Sequence, residues 1–355
     1  MNSYLSNKIK TISCISIILV VFLHSYNFDT KQNGSVIVFE KSIFWFIENY
    51  ISNGLTRIAV PFFFIFSGFL FFLNYNNSLS EIKLKLRKRV KTLFIPYLFW
   101  SIFGIIIYLL LQNIPGIKTY FTKELLVDFS LIKWIDTIFI NPIPYQLWFV
   151  RDLMVLVLLS PLLFLGIKYL KIVTLLLLFS IWIYYDFSVL KNSIEALFFY
   201  SLGGYLAFNK EKWNMVFLKN HAILLFLLWL IILAVSLMLK FLEYNVIAHT
   251  IVHKISIIIG IISIWNVYDL LYVKQEKIIN RIIAMSSATF FIYASHEPLL
   301  TIIKKILFII LGKKEINYIE IYFIAPILVI IFSYFTGNFL KRNFSKFHGI
   351  ITGNR

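Results

Sequence analysis

The chain has 355 residues, of which 60% are hydrophobic and only 14% charged. A mean hydropathy of +0.83 exceeds what a soluble domain of this size can bury, so the sequence reads as a polytopic helical membrane protein. Its net charge of +17 lies mostly between the apolar runs, which excludes a nucleic-acid groove and fits orientation in a bilayer.

The expected fold is all-α, about ten transmembrane helices around a polar cavity. The apolar segments do not alternate with period two, so an outer-membrane barrel is excluded. The spans are drawn at 9–28, 56–73, 92–112, 147–166, 172–186, 194–208, 222–241, 250–272, 282–311 and 318–340, each about long enough to approach the bilayer core thickness. Residues 1–345 form a single membrane domain and 346–355 a short tail. No internal repeat is evident, which argues against a transporter built on inverted halves.

The first span, Lys8 to Phe28, is read as an uncleaved signal anchor, because no small-residue cleavage site follows it. It keeps an ionisable group, His24, at membrane depth, and such groups mark working sites. Its single cysteine, Cys14, is expected to be a packing residue and excludes an internal disulfide. Segments 29–55 and 113–146 are long connections. The first is expected to lie partly on the membrane surface, and the second to cover a site or hold an acceptor.

Lysine and arginine favour the loops on the side of the N-terminus, so both termini are expected in the cytoplasm. Abundant Ile, Lys, Asn, Phe and Tyr resemble products of AT-rich bacterial genomes, and the bacterial cytoplasmic (inner) membrane is the expected location. On this topology His24 lies about 21 Å beyond Lys10 along its helix, and His296 about 22 Å beyond Arg281. Arg57, Trp148, Arg151 and Asp152 fall in the same outer half.

Five stretches in order then resemble the acyltransferase 3 family, membrane enzymes that modify cell-surface carbohydrates. They are LVVFLH ending at His24, RIAVPFFFIFSGFLFF (57–72), the basic run into LFIPYLFW (93–100), YQLWFVRDLMVLVLLSPLL (145–163) and MSSATFFIYASHEPLL (285–300). The resemblance implies O-acylation, most simply O-acetylation, of a surface polysaccharide or its lipid-linked precursor. It implies acetyl-coenzyme A as donor and a glycan as acceptor. His24 would be the general base, since an imidazole near neutrality can take the proton of an attacking hydroxyl. Catalytic candidates beside it are Arg151, Asp152 and His296. Asp152 would orient a histidine, while His296 either contacts substrate, relays a proton or stabilises a helix break before Pro298.

The family's first helix carries an arginine, held to handle the acyl donor, where this chain has Ser13. Lys10, Arg57 and Arg151 are the candidate replacements. Lys88, Arg89 and Lys91 are either topology signals touching anionic lipid or a site for coenzyme A phosphates. Trp148 is either an interface anchor or a sugar platform.

Ser67–Gly68 is read as close helix packing rather than a nucleophile, for no G-x-S-x-G surrounds the serine. His249 and His253 share a helix face without an acidic third ligand, so no metal is expected. His221 and His348 are read as loop residues. Two rival functions remain open at this point: a transporter or flippase of a lipid-linked glycan, and a succinyltransferase on the same fold.

Overall fold

A computed structural model describes residues 1–26, 31–32, 35–36, 41–115, 124–184, 191–209, 221–312 and 314–354. The described helices are α1 (Ser3–Ser25), α2 (Ile43–Ser52), α3 (Ala59–Phe72), α4 (Leu79–Arg89), α5 (Ile95–Gln112), α6 (Leu131–Phe139), α7 (Trp148–Leu165) and α8 (Ile172–Tyr184). They continue with α9 (Lys191–Phe208), α10 (Ala222–Phe241), α11 (Val246–Lys274), α12 (Glu276–Met285), α13 (Thr289–Leu311), α14 (Glu315–Asn343) and α15 (Ser345–Thr352). Two-residue strands, Lys31–Gln32 and Ser35–Val36, pair antiparallel after α1. Polar residues start the helices where an apolar run begins. Asn2, Ser42, Ser78, Ser130 and Asn245 each accept a backbone N–H of the first turn of α1, α2, α4, α6 and α11.

The protein is an all-α, multi-pass membrane protein. Among the described residues, seven helical runs are long and apolar enough to cross a bilayer, rather than the ten expected. The difference has physical causes. Ile172–Tyr184 and Ile194–Phe208 are apolar but short, and 13 residues of helix rise only about 20 Å. The third, expected at 282–311, is divided into α12, a 3-10 turn at Ser286–Ala288 and α13, and α13 carries Glu297, Lys304 and Lys305. The segment around Trp45 is helical, and α2 runs through a 3-10 turn, Leu55–Ile58, into α3 as one 30-residue span.

Aromatic side chains fill the interior. Phe62, Phe64, Phe69 and Phe72 of α3 are at most 1% exposed. Helices α3 and α9 approach closely. A Cβ on Gly68 would lie 2.0 Å from the carbonyl oxygen of Tyr200, and one on Gly203 would lie 2.1 Å from that of Ile65. Two glycines facing opposite backbones remove the side chains that would hold the helices apart, as expected for Gly68. Cys14 is buried in α1.

The N-terminal half of α1 is tied to α11. Lys8 is buried and pairs with Asp269, which also accepts from the Tyr4 hydroxyl, while the ammonium lies 3.9 Å from the Trp265 ring centre. Residues 346–355, set apart above as a tail, run mostly through α15. Its Ile351 carbonyl accepts from Trp100 Nε1 at 2.9 Å. His348 is thus a buried helical residue stacked near Phe291, not a loop residue. The fit is close because Gly353, at a positive φ, lies where a Cβ would meet Thr92 backbone.

Candidate active site

The break in α13 builds the site. Pro298 has no N–H and pushes the residue before it out of helical geometry, and Glu297 is extended, at φ −113 and ψ 137. The carbonyl of Ala294, four residues before the proline, therefore loses its helical donor. A buried orphan carbonyl needs a partner, above all in a membrane. Gln146 supplies it from the turn before α7. Its Nε2 donates to Ala294 O at 3.2 Å and to Glu297 O at 3.3 Å. Tyr293 reciprocates, donating its hydroxyl to Gln146 O at 2.6 Å.

His296 sits in this break with no exposed surface. Its Nδ1 lies 2.6 Å from Tyr293 O. A carbonyl can only accept, so Nδ1 carries a proton, which leaves Nε2 as the ring's other polar atom. That nitrogen is buried and has no hydrogen-bond partner among the described residues. The His24 ring stacks on it, with centroids 5.3 Å apart and planes 21° apart. The similar depth expected from residue spacing is thus met by direct ring contact. His24 is half-buried and His296 fully buried, so of the two stacked rings His24 is the one with exposed surface.

Tyr145 closes the other side of His24, edge-on at 4.8 Å. Its hydroxyl donates to Glu297 Oε1 at 3.3 Å, and the second carboxylate oxygen accepts from Thr301 Oγ1 at 2.8 Å. Lys304, buried in α13, donates to the backbone carbonyl of His24 at 3.3 Å. A cation there caps the negative end of α1. Arg57, exposed on the 3-10 turn before α3, donates to Asn53 Oδ1 at 2.8 Å. Its charge and that of Lys304 both lie within electrostatic reach of His24.

The other expected residues fall in different surroundings. Arg151 donates from Nε and Nη2 to Asp152 Oδ1 at 3.0 and 2.8 Å, and from Nη1 to Ile140 O at 2.7 Å. The pair therefore fastens the C-terminal end of α6 to α7. Tyr97 and Ser101 of α5 hold the same end through Phe139 O and Ile138 O, both at 2.9 Å. Trp148 packs between Phe64 and Phe149, with both centroids 6.4 Å away. Lys10 is exposed on α1, toward the end remote from His24, whereas the buried lysine of that helix is Lys8. Lys88 and Lys91 are exposed; Arg89 is half-buried with its guanidinium 5.8 Å from the Phe71 ring centre.

Sequence reasoning overlooked Tyr145, Gln146, Thr301 and Lys304. Lys304 had a signal, since a lysine inside an apolar run is as costly as His24. Tyr145 and Gln146 had only their place at the close of a long connection, and their function depends on a carbonyl freed in a distant helix. Among the described residues no group of three or more His, Cys, Asp or Glu is placed to hold a metal. His249 and His253 stack with centroids 5.9 Å apart.

The chain is 26% identical over 368 residues to the succinoglycan biosynthesis protein ExoH of Rhizobium meliloti (strain 1021), covering 100% of this chain and 94% of that protein. No solved structure matches. A family model described as an acyltransferase domain matches residues 9–337, which span both histidines and the turn between them. The two stacked imidazoles and the polar residues that hold them therefore lie within a shared domain, and this membrane chain belongs to the acyltransferase 3 family.

Proposed function

We propose that the protein O-acetylates a cell-surface polysaccharide or its lipid-linked precursor, with acetyl-coenzyme A as donor. The observation that carries this reading is the half-buried His24 ring stacked on the buried His296, whose Nδ1 is held by Tyr293 O. A sugar hydroxyl is a weak nucleophile near neutral pH. His24 takes its proton as the oxygen attacks the thioester carbonyl. The tetrahedral intermediate bears an oxyanion, and Arg57 is the nearby exposed cation that meets it. Collapse forms the ester, breaks the carbon–sulfur bond and returns the proton from His24 to the departing thiolate.

His296 is a positioning residue here. Its ring fixes the plane of His24. Lys10 is proposed to serve the donor at the other end of α1, as are Lys88, Arg89 and Lys91. Both termini are proposed to be cytoplasmic, in a bacterial inner membrane, with the shorter α8 and α9 and the broken α12–α13 also crossing so that the passes are even in number, and the donor then comes from the cytoplasm. The name of the relative supports a polysaccharide acceptor, because that protein is one of succinoglycan biosynthesis.

The test is transfer of label from acetyl-coenzyme A to deacylated surface glycan in proteoliposomes. The wild-type protein labels the glycan, and His24→Asn slows it about 10²–10⁴-fold, the usual cost of losing a general base. A glycan that is moved across the bilayer but never labelled would reject acyl transfer in favour of transport. Label accepted from succinyl- but not acetyl-coenzyme A would change the donor and keep the chemistry.

A further inference from the structure

The two sides of α15 meet different surroundings. His348, Ile351 and Thr352 are buried, and the helix is docked on α5 and α13 through the Trp100–Ile351 hydrogen bond and the ring contact of His348 with Phe291. On the other side Phe347 and Ile350 are 44% and 55% exposed, and Phe344, which leads into the helix, is 55% exposed. Phe347 leans on Phe99 with ring centres 5.6 Å apart. A helix docked by one face and apolar on the other suits the boundary between lipid headgroups and acyl chains.

Cations flank that apolar face. Lys341, Arg342 and Lys346 are exposed, and among the described residues none of them has an ion-pair partner. No acidic residue follows Glu320 in the sequence. Arg87, exposed in the last turn of α4, lies shortly before Thr92, whose backbone α15 reaches through Gly353. Attraction to the helix dipole accounts for Lys341 and Arg342 in the last turn of α14. It does not account for Lys346 at the start of α15, nor for three large apolar side chains left uncovered beside the cations.

The combination selects the ligand. A free phosphate or a nucleotide would meet the cations and leave the two phenylalanines and the isoleucine bare. A neutral phospholipid would cover those side chains and leave the positive charge without a partner. An anionic phospholipid does both, with its phosphate beside the basic residues and an acyl chain along Phe344, Phe347 and Ile350. We infer that the corner between α14 and α15 is a binding site for an anionic phospholipid. The site is independent of the acyl-transfer chemistry.

The full-length protein with one fluorophore, placed by Ile350→Cys in a Cys14→Ala background, tests it in phosphatidylcholine bilayers. Brominated phosphatidylglycerol and, at the same mole fraction, brominated phosphatidylcholine are the probes. Bromine quenches only at short range, so the ratio of the two quenching curves reads the preference of the site for the anionic lipid. The parent prefers phosphatidylglycerol, and each of Lys341→Gln, Arg342→Gln and Lys346→Gln lowers the preference up to about fivefold, the worth of one basic residue beside an anionic surface. Thermal unfolding close to that of the parent shows that the variants keep the fold. Equal quenching by the two lipids in the parent overturns the site, as does a preference that survives all three substitutions. Should the substitutions spare the preference and raise the KM for acetyl-coenzyme A, the cations serve the donor and the lipid site is likewise overturned.

Discussion

Replacing Gln146 with leucine tests whether the break in α13 is held from α7. The side-chain amide makes two bonds, at 3.2 and 3.3 Å, near the long limit for N–H···O, so each contributes about 0.5 kcal/mol. Leucine leaves two buried carbonyls bare, at about 1–3 kcal/mol each. It also removes Gln146 Oε1, which is buried without a partner among the described residues and whose loss returns a similar amount. The net destabilisation expected is about 1–3 kcal/mol. His296 lies between the two carbonyls that Gln146 holds, so slack there shifts its ring against His24. A misalignment worth about 1.4 kcal/mol lowers kcat tenfold. Gln146→Glu should be worse than leucine, because a carboxylate facing two carbonyl oxygens is repelled. Melting of the detergent-solubilised protein, followed by size-exclusion fluorescence, reads the first quantity. Single-turnover transfer reads the second. If Gln146→Leu melts with the wild type and turns over within twofold of it, the brace has no energetic content.

Four further outcomes are expected. Arg151→Lys keeps the charge but loses the planar fork, so activity drops about tenfold and the segment 131–140 is cleaved faster in limited proteolysis. Gly68→Val forces a side chain into the Tyr200 backbone and sharply reduces the yield of folded protein, whereas Ser67→Ala does not. Lys10→Ala raises the KM for donor without loss of fold, while Lys8→Ala, which leaves half-buried Asp269 with the Tyr4 hydroxyl but without its cation, lowers stability by about 1–3 kcal/mol; unchanged donor kinetics in Lys10→Ala would remove that lysine from donor binding. In a Cys14→Ala background, an impermeant maleimide added to intact cells labels Ile132→Cys and spares Lys83→Cys, and the reverse pattern inverts the topology.

The architecture was legible because membrane spans announce themselves by length and hydropathy. Counting them was harder. The segment 282–311 is apolar on average, but it carries three charges and is broken at Pro298 rather than forming a plain span. His24 and His296 were legible as a pair because each is an ionisable group at a similar distance from a basic anchor. Arg151 and Asp152 were legible as polar residues near a span entrance, yet their bonds turn toward Ile140 and each other. Depth along a helix can be read from residue spacing, whereas azimuth depends on packing between helices that one sequence does not display. Gln146 was hidden for the same reason, since its partners are carbonyls, which carry no sequence signature.

The residues that meet in the site are far apart along the chain: Lys304 caps a helix made 280 residues earlier. At about 5–20 residues per second, synthesis separates the two by roughly 15–55 seconds. For that interval α1 waits in the bilayer with its imidazole lacking the ring it will stack on, and α13 is still unmade. A half-finished chain thus holds the proposed base without its support. On that reading acyl transfer depends on completed assembly, because the helix that positions the base is made last among the parts of the site.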